Sequence, residues 1–149
     1  LLSSHVARFT ESVRLARAES IMRNVPVSIC PSAMAGTGAA ACAGVYADGW
    51  IVFANPDADR SVDPGSDEVL RVFSGLPPGF SVSNRAGDRA AAQLVNYRPD
   101  GSSHNNTTFL FCPPRDSRVD PTSVVINIVG RPRVQRERGP CASPAAERT

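Results

Sequence analysis

The first 24 residues carry an apolar stripe with the period of a helix. Most of the charged side chains in this stretch fall off that stripe, which is typical of an amphipathic α-helix with one face in a core. Pro26 cannot sit inside a helix, so the helix is expected to end near Asn24. At about 36 Å it is long enough for one end to project from a small domain. The stripe consists of Leu2, Val6, Phe9, Val13 and Ala16.

After Pro26 the pattern changes to short apolar or alternating runs, which indicate strands. Residues 31–48 and 55–67 between them are expected to be loops. Gly130 ends the last main run, and Pro132 makes the next stretch an edge strand at best. The predicted strands are Val27–Cys30, Gly49–Ala54, Glu68–Ser74, Phe80–Asn84, Gln93–Arg98, Thr107–Cys112 and Ser123–Val129.

One helix followed by a series of strands predicts an α+β fold, with the helix packed on a mostly antiparallel sheet. The length of 149 residues fits one domain. Its expected parts are the helix at 1–24, a β-rich region at 25–138 and a polar tail at 139–149. Aromatic residues make up only 6% of the chain, so a core built mostly from Val, Ile, Leu and Ala is expected.

The four cysteines indicate the redox environment. They are widely spaced and form no CxxC pair, which argues against a zinc ribbon or a thioredoxin-type site. Of the three possible pairings we favour the sequence-local one, Cys30–Cys42 and Cys112–Cys141, in an oxidising compartment such as the periplasm. The alternative is four free thiols in a cytosolic protein.

Chemical signatures of an enzyme are absent: the chain has no GxSxG, Walker A, HExxH or dinucleotide-binding glycine motif. His5 and His104 are interpreted as a helix residue and a solvated loop residue. An acidic loop holds Asp57, Asp59 and Asp63, but its spacing matches no calcium loop, so a solvated turn is favoured over a metal site. We therefore expect no enzymatic activity, no cofactor and no metal.

The most distinctive local feature is an arginine-rich segment that begins with Gly130-Arg131-Pro132-Arg133. The net charge of +2 does not by itself indicate nucleic-acid binding, and all 16 basic residues are arginine, which base composition explains. In an extended strand Arg131 and Arg133 would share one face, about 7 Å apart, and Arg136 and Arg138 the other. Such pairs suit successive phosphates of DNA. The alternative is an edge strand kept soluble by its charges.

Five segments of the chain together match one known pattern: Leu15–Asn24, Val27–Cys30, Gly49–Phe53, Tyr97–Gly101 and Val124–Arg131. By their order and spacing, residues 9–134 resemble the GspH/FimT family of minor pilins and pseudopilins. The first matching segment is similar to that family's helix-end signature, the second is a strand that ends in cysteine, and the last is a strand that ends in "GR".

The resemblance implies a structural subunit of a type IV pilus or a type II secretion filament. A leader and an apolar half-helix would precede Leu1 and hold the subunit in the inner membrane, with the globular domain in the periplasm. The start of the chain inside a helical pattern is expected on that basis. Implied partners are other minor pilins and the major pilin.

The resemblance also implies one of two roles. FimU-like members help to prime pilus assembly, and FimT-like members of competent bacteria bind DNA through a GRxR motif, which residues 130–133 match. Pro132 at the x position removes a backbone donor and is expected to hold the segment off the sheet.

Overall fold

The computed structural model describes residues 1–33, 41–57, 61–62, 67–137 and 141. The predicted α+β class is confirmed, because one long helix packs against antiparallel strands. A short 3-10 helix, Tyr46–Asp48, lies directly before the second strand. The elements in chain order are α1 (Leu2–Arg23), β1 (Val27–Pro31), β2 (Gly49–Ala54), β3 (Glu68–Ser74), β4 (Ser81–Ser83), β5 (Val95–Tyr97), β6 (Thr107–Cys112), β7 (Thr122–Ile126) and β8 (Pro132–Arg136).

The described strands form two four-stranded sheets rather than the one that the sequence suggested. The first sheet has the order β3-β2-β1-β5 and the second the order β4-β6-β7-β8, with every neighbouring pair antiparallel. Helix α1 contacts β1, β2 and β5 of the first sheet and β6, β7 and β8 of the second. The helix therefore fills the space between the two sheets.

The boundaries of α1 agree with its sequence pattern. The helix ends at Arg23, and Asn24 follows in the left-handed conformation with φ 55°, a common way to end a helix. The expectation that one end projects is wrong, because buried side chains occur from Leu2 to Ser20. Phe9, in the middle of the apolar stripe, is 0% exposed. It lies between the sheets, where side chains from both cover its ring.

The centre of the core is aromatic, although most of the buried apolar residues are Val, Ile, Leu or Ala, as the composition predicts. The ring of Phe9 lies 4.8–5.6 Å, centroid to centroid, from the rings of Tyr46, Trp50, Phe109 and Phe111. Each aromatic side chain buries far more area than an aliphatic one. A small number of rings therefore suffices when α1 brings them together, and the aliphatic side chains complete the core around them.

Strand β2 is buried along its whole length because both faces of the first sheet are covered. Trp50 and Val52 face α1 and belong to the main core, while Ile51 and Phe53 belong to a smaller cluster with Cys30 on the opposite face. The unbroken apolar run in the sequence reflects this double burial, since a strand with one solvated face would alternate.

Candidate functional site

The arginine-rich segment forms the last strand of the second sheet. Strand β8 pairs in antiparallel register with β7, so that Ile126 lies opposite Pro132 and Val125 opposite Arg133. Within the described residues no strand pairs with its other side. The segment is thus an edge strand.

The expectation that Pro132 holds the segment off the sheet is wrong. Pro132 is instead the first residue of β8. The backbone N–H of Glu137 donates to the carbonyl of Pro121 at 2.8 Å in the same register. Because hydrogen-bonded and non-hydrogen-bonded pairs alternate in an antiparallel ladder, the even-numbered residues of β8 point their backbone groups away from β7. The N–H that proline lacks would have faced outward, so the ladder loses no bond.

The three described arginines of this segment are all solvent-exposed. Arg133 and Arg136 lie on opposite faces of β8, since side chains alternate along a strand. Arg131 precedes the strand, so strand geometry does not pair it with Arg133 as the sequence suggested. Among the described residues no carboxylate lies within ion-pair distance of these guanidinium groups. Arg138 lies outside the described residues.

The turn before β8 is fixed by the core. The Tyr97 hydroxyl donates to the carbonyl oxygen of Gly130 at 2.6 Å, and burial raises the pKa of Tyr97, which keeps the hydroxyl protonated. A side chain at position 130 would overlap with the Gly101 carbonyl oxygen, which already accepts from Arg17 Nε at 3.0 Å. The glycine of the GRxR pattern is thus required by packing, a role that sequence reasoning missed.

The far end of β8 is fixed by polar contacts and a disulfide. Besides the bond from Glu137 N, the Ser123 hydroxyl donates to Glu137 Oε2 at 2.7 Å. Cys141, four residues beyond Glu137, is bonded to Cys112 at the end of β6. This bond joins residues 29 positions apart.

Both disulfides have the sequence-local pairing. Cys30 at the end of β1 is bonded to Cys42 across a separation of 12 residues, and none of the four cysteines is free. The first bond closes the loop between β1 and β2, and the second ties the segment after β8 to β6.

The two histidines and the acidic loop were the other candidates from the sequence. His5 contacts Phe80 and Arg8, and His104 contacts Arg98. No group of three potential metal ligands occurs among the described residues, while Asp59 and Asp63 of the acidic loop lie outside them. No described helix is both long and apolar enough to cross a membrane.

The model of one protein family, described as type II transport protein GspH, matches residues 5–130. The chain belongs to the GspH family. The match begins near the start of α1 and ends at the Gly130 turn, so it covers most of the helix and seven of the strands described above. No curated protein is similar enough in sequence to count as a match.

Two solved structures share the fold of this GspH-family chain. Both are crystal forms of the type IV minor pilin FimU from Pseudomonas aeruginosa. One has a TM-score of 0.65 at 16% identity, with 92% of this chain and 88% of FimU covered. The other has a TM-score of 0.62 at 14% identity, with 91% of this chain and 92% of FimU covered. The chain is thus a GspH-family protein that shares the fold of a type IV minor pilin.

Proposed function

We propose that this chain is a minor pilin that helps to prime or cap the assembly of a type IV pilus. The observation that carries the proposal is the likeness to the type IV minor pilin FimU over nine-tenths of the chain. An apolar segment ahead of α1 would hold the subunit in the inner membrane before assembly. Its partners are the other minor pilins and the major pilin.

The assembly role is tested by deleting the gene in its host and measuring pili sheared from the cell surface. Restoring the gene should restore the pili. Secretion of a type II substrate by the same cells is the control, because the family includes pseudopilins of that system. Loss of pili with normal secretion supports the proposal. Loss of secretion with normal pili would assign the chain to the secretion filament instead, and an effect on neither would contradict both assignments.

A second candidate function is DNA binding by the same subunit, supported by the exposed arginines of the β8 edge. Arg131 and Arg133 have no competing carboxylate among the described residues, and guanidinium groups bind phosphate oxygens with two parallel hydrogen bonds. Contacts of this kind carry no sequence information. Binding should therefore be weak, independent of sequence and sensitive to salt.

Titration of duplex DNA at several salt concentrations tests this second function. Replacing Arg131 and Arg133 by Gln should flatten the log–log salt slope by about 1.8, at roughly 0.9 per lost phosphate contact. Replacement by Lys should restore part of the affinity. Replacing Arg85 and Arg89 by Gln is the matched control, since both arginines are exposed and flank the opposite edge of the same sheet. Equal losses in both Gln pairs would show a nonspecific charge effect, and no binding by the wild type would reject this function.

A further inference from the structure

Strand β8 is weakly packed compared with its neighbour. Pro132 is half-buried and the residues from Arg133 to Arg136 are exposed, whereas Val124 and Ile126 of β7 are fully buried. Burial of apolar area is the main force that holds strands in a fold. Because β8 buries little apolar area, its attachment depends mainly on the hydrogen-bonded ladder to β7 and on what holds its two ends.

The two ends of β8 are held in different ways. At the start, the Gly130 carbonyl is bonded to the buried Tyr97 hydroxyl, so the turn belongs to the core. At the far end, the strand is held by the hydrogen bonds of Glu137 and by the Cys112–Cys141 disulfide. Cys112 is 2% exposed and ends a strand with buried neighbours, so this bond ties the chain beyond β8 to a fixed point.

We propose that the Cys112–Cys141 bond is a latch that positions β8, and with it Arg133 and Arg136, on the second sheet. Without the bond, β8 separates from β7 while both sheets otherwise keep their structure. Arg131 behaves differently, because it directly follows the anchored Gly130 and stays in place when the strand leaves. The consequence for DNA rests on the DNA-binding function proposed above, whereas the release of the strand does not.

Successive backbone amides of β7 face β8 and β6 in turn, so hydrogen exchange can detect the release of β8 specifically. Given the Glu137–Pro121 bond and the register of β8, the backbone groups of Ser123 and Val125 face β8, whereas those of Val124 face β6. Release of β8 should therefore expose the amides of Ser123 and Val125 to exchange with solvent and leave that of Val124 protected. A general loss of stability would affect all three alike.

The test is residue-resolved hydrogen exchange on the Cys112→Ser/Cys141→Ser protein. Protection of the Ser123 and Val125 amides should fall by a factor of about 400, the loop-closure effect of a bond between residues 29 positions apart. Protection of α1 and of the first sheet should not change. The matched control is Cys30→Ser/Cys42→Ser, which removes the other bond and should leave β7 and β8 protected.

A second measurement guards against misfolding of the serine variant. Dithiothreitol added to folded Cys30→Ser/Cys42→Ser protein opens the remaining bond: its two thiols become a disulfide, and Cys112 and Cys141 each take up one electron and one proton. The same two amides should lose protection. Retained protection once the bond is open would overturn the latch, as would a loss that extends to α1 and the first sheet.

The DNA titration separates this inference from the proposed function. If β8 supplies phosphate contacts, the Cys112→Ser/Cys141→Ser protein should have a flatter salt slope than the wild type. The difference should be about 0.9 for each of Arg133 and Arg136 that makes a contact. Exposure of the two β7 amides with an unchanged titration would support the latch and reject β8 arginines as DNA contacts.

Discussion

Replacing Gly130 by Ala tests the packing role assigned to the glycine of the GRxR pattern. Gly130 has φ +98°, which side chains other than glycine rarely adopt, and a Cβ there would overlap with the Gly101 carbonyl oxygen and lie 3.0 Å from Tyr97 Cε1. The carbonyl cannot move aside freely, because it accepts a hydrogen bond from Arg17 Nε. The turn itself must therefore shift away from the helix.

The cost has two parts. Backbone strain at this φ costs about 1–2 kcal/mol. The shift breaks the bond from Tyr97 to Gly130 and leaves a buried hydroxyl without a partner, at about 1–3 kcal/mol. We expect a loss of about 2–5 kcal/mol, which corresponds to a fall in Tm of about 10 °C for a chain of this size.

The assay is thermal and urea unfolding followed by circular dichroism. Gly79→Ala is the control, because Gly79 also has a positive φ of +93° but faces only the side chain of Pro114, with 3.2 Å from the added Cβ to Pro114 Cγ. It isolates the backbone strain and should lose about 1–2 kcal/mol. If Gly130→Ala is no less stable than Gly79→Ala, the packing argument for the GRxR glycine is wrong.

Three further predictions concern the core and the disulfides. Phe9→Ala should lower the free energy of unfolding by about 3–5 kcal/mol, whereas Met22→Ala, at an exposed position on the same helix, should change it by less than about 0.5 kcal/mol in urea titrations. Burial raises the pKa of both Tyr46 and Tyr97, so their contribution to stability is complete below about pH 10 and is lost above it. Tyrosinate absorbance should therefore appear only with unfolding; a tyrosinate signal in folded protein would contradict the burial of both rings. Peptide mapping of periplasmically produced protein without reductant should give the two bridges described above, and four alkylatable thiols would refute them.

The local features of this fold could be predicted from the sequence because they depend on nearby residues. The period of the apolar stripe indicates that the chain is helical from its first residues, and Pro26 determines where α1 ends. The six apolar residues of β2 indicate a strand buried on both faces. The order of elements suffices for the α+β class, since a strand-rich chain must cover its one amphipathic helix.

The features that the sequence did not reveal all depend on contacts between distant segments. Whether eight strands form one sheet or two depends on which edges pair, and periodicity within a strand carries no information about its partner. Phe9 lies on the predicted face of α1, but its complete burial requires rings from both sheets. Likewise, Pro132 is compatible with β8 only because the register places its backbone nitrogen on the side that faces away from β7.

For the candidate site the division is similar. The sequence by itself determined the presence of the arginines and the motif Gly130–Arg133, together with the resemblance that gave this motif a meaning. Only the tertiary structure decided that Gly130 must lack a side chain, since Tyr97 at the end of β5 and Gly101 shortly after β5 pack against this position. It also decided that Arg133 and Arg136 lie on opposite faces of an edge strand. The physical reason is that local patterns fix the conformation of a segment, whereas exposure and partners are properties of the surfaces that folding brings together.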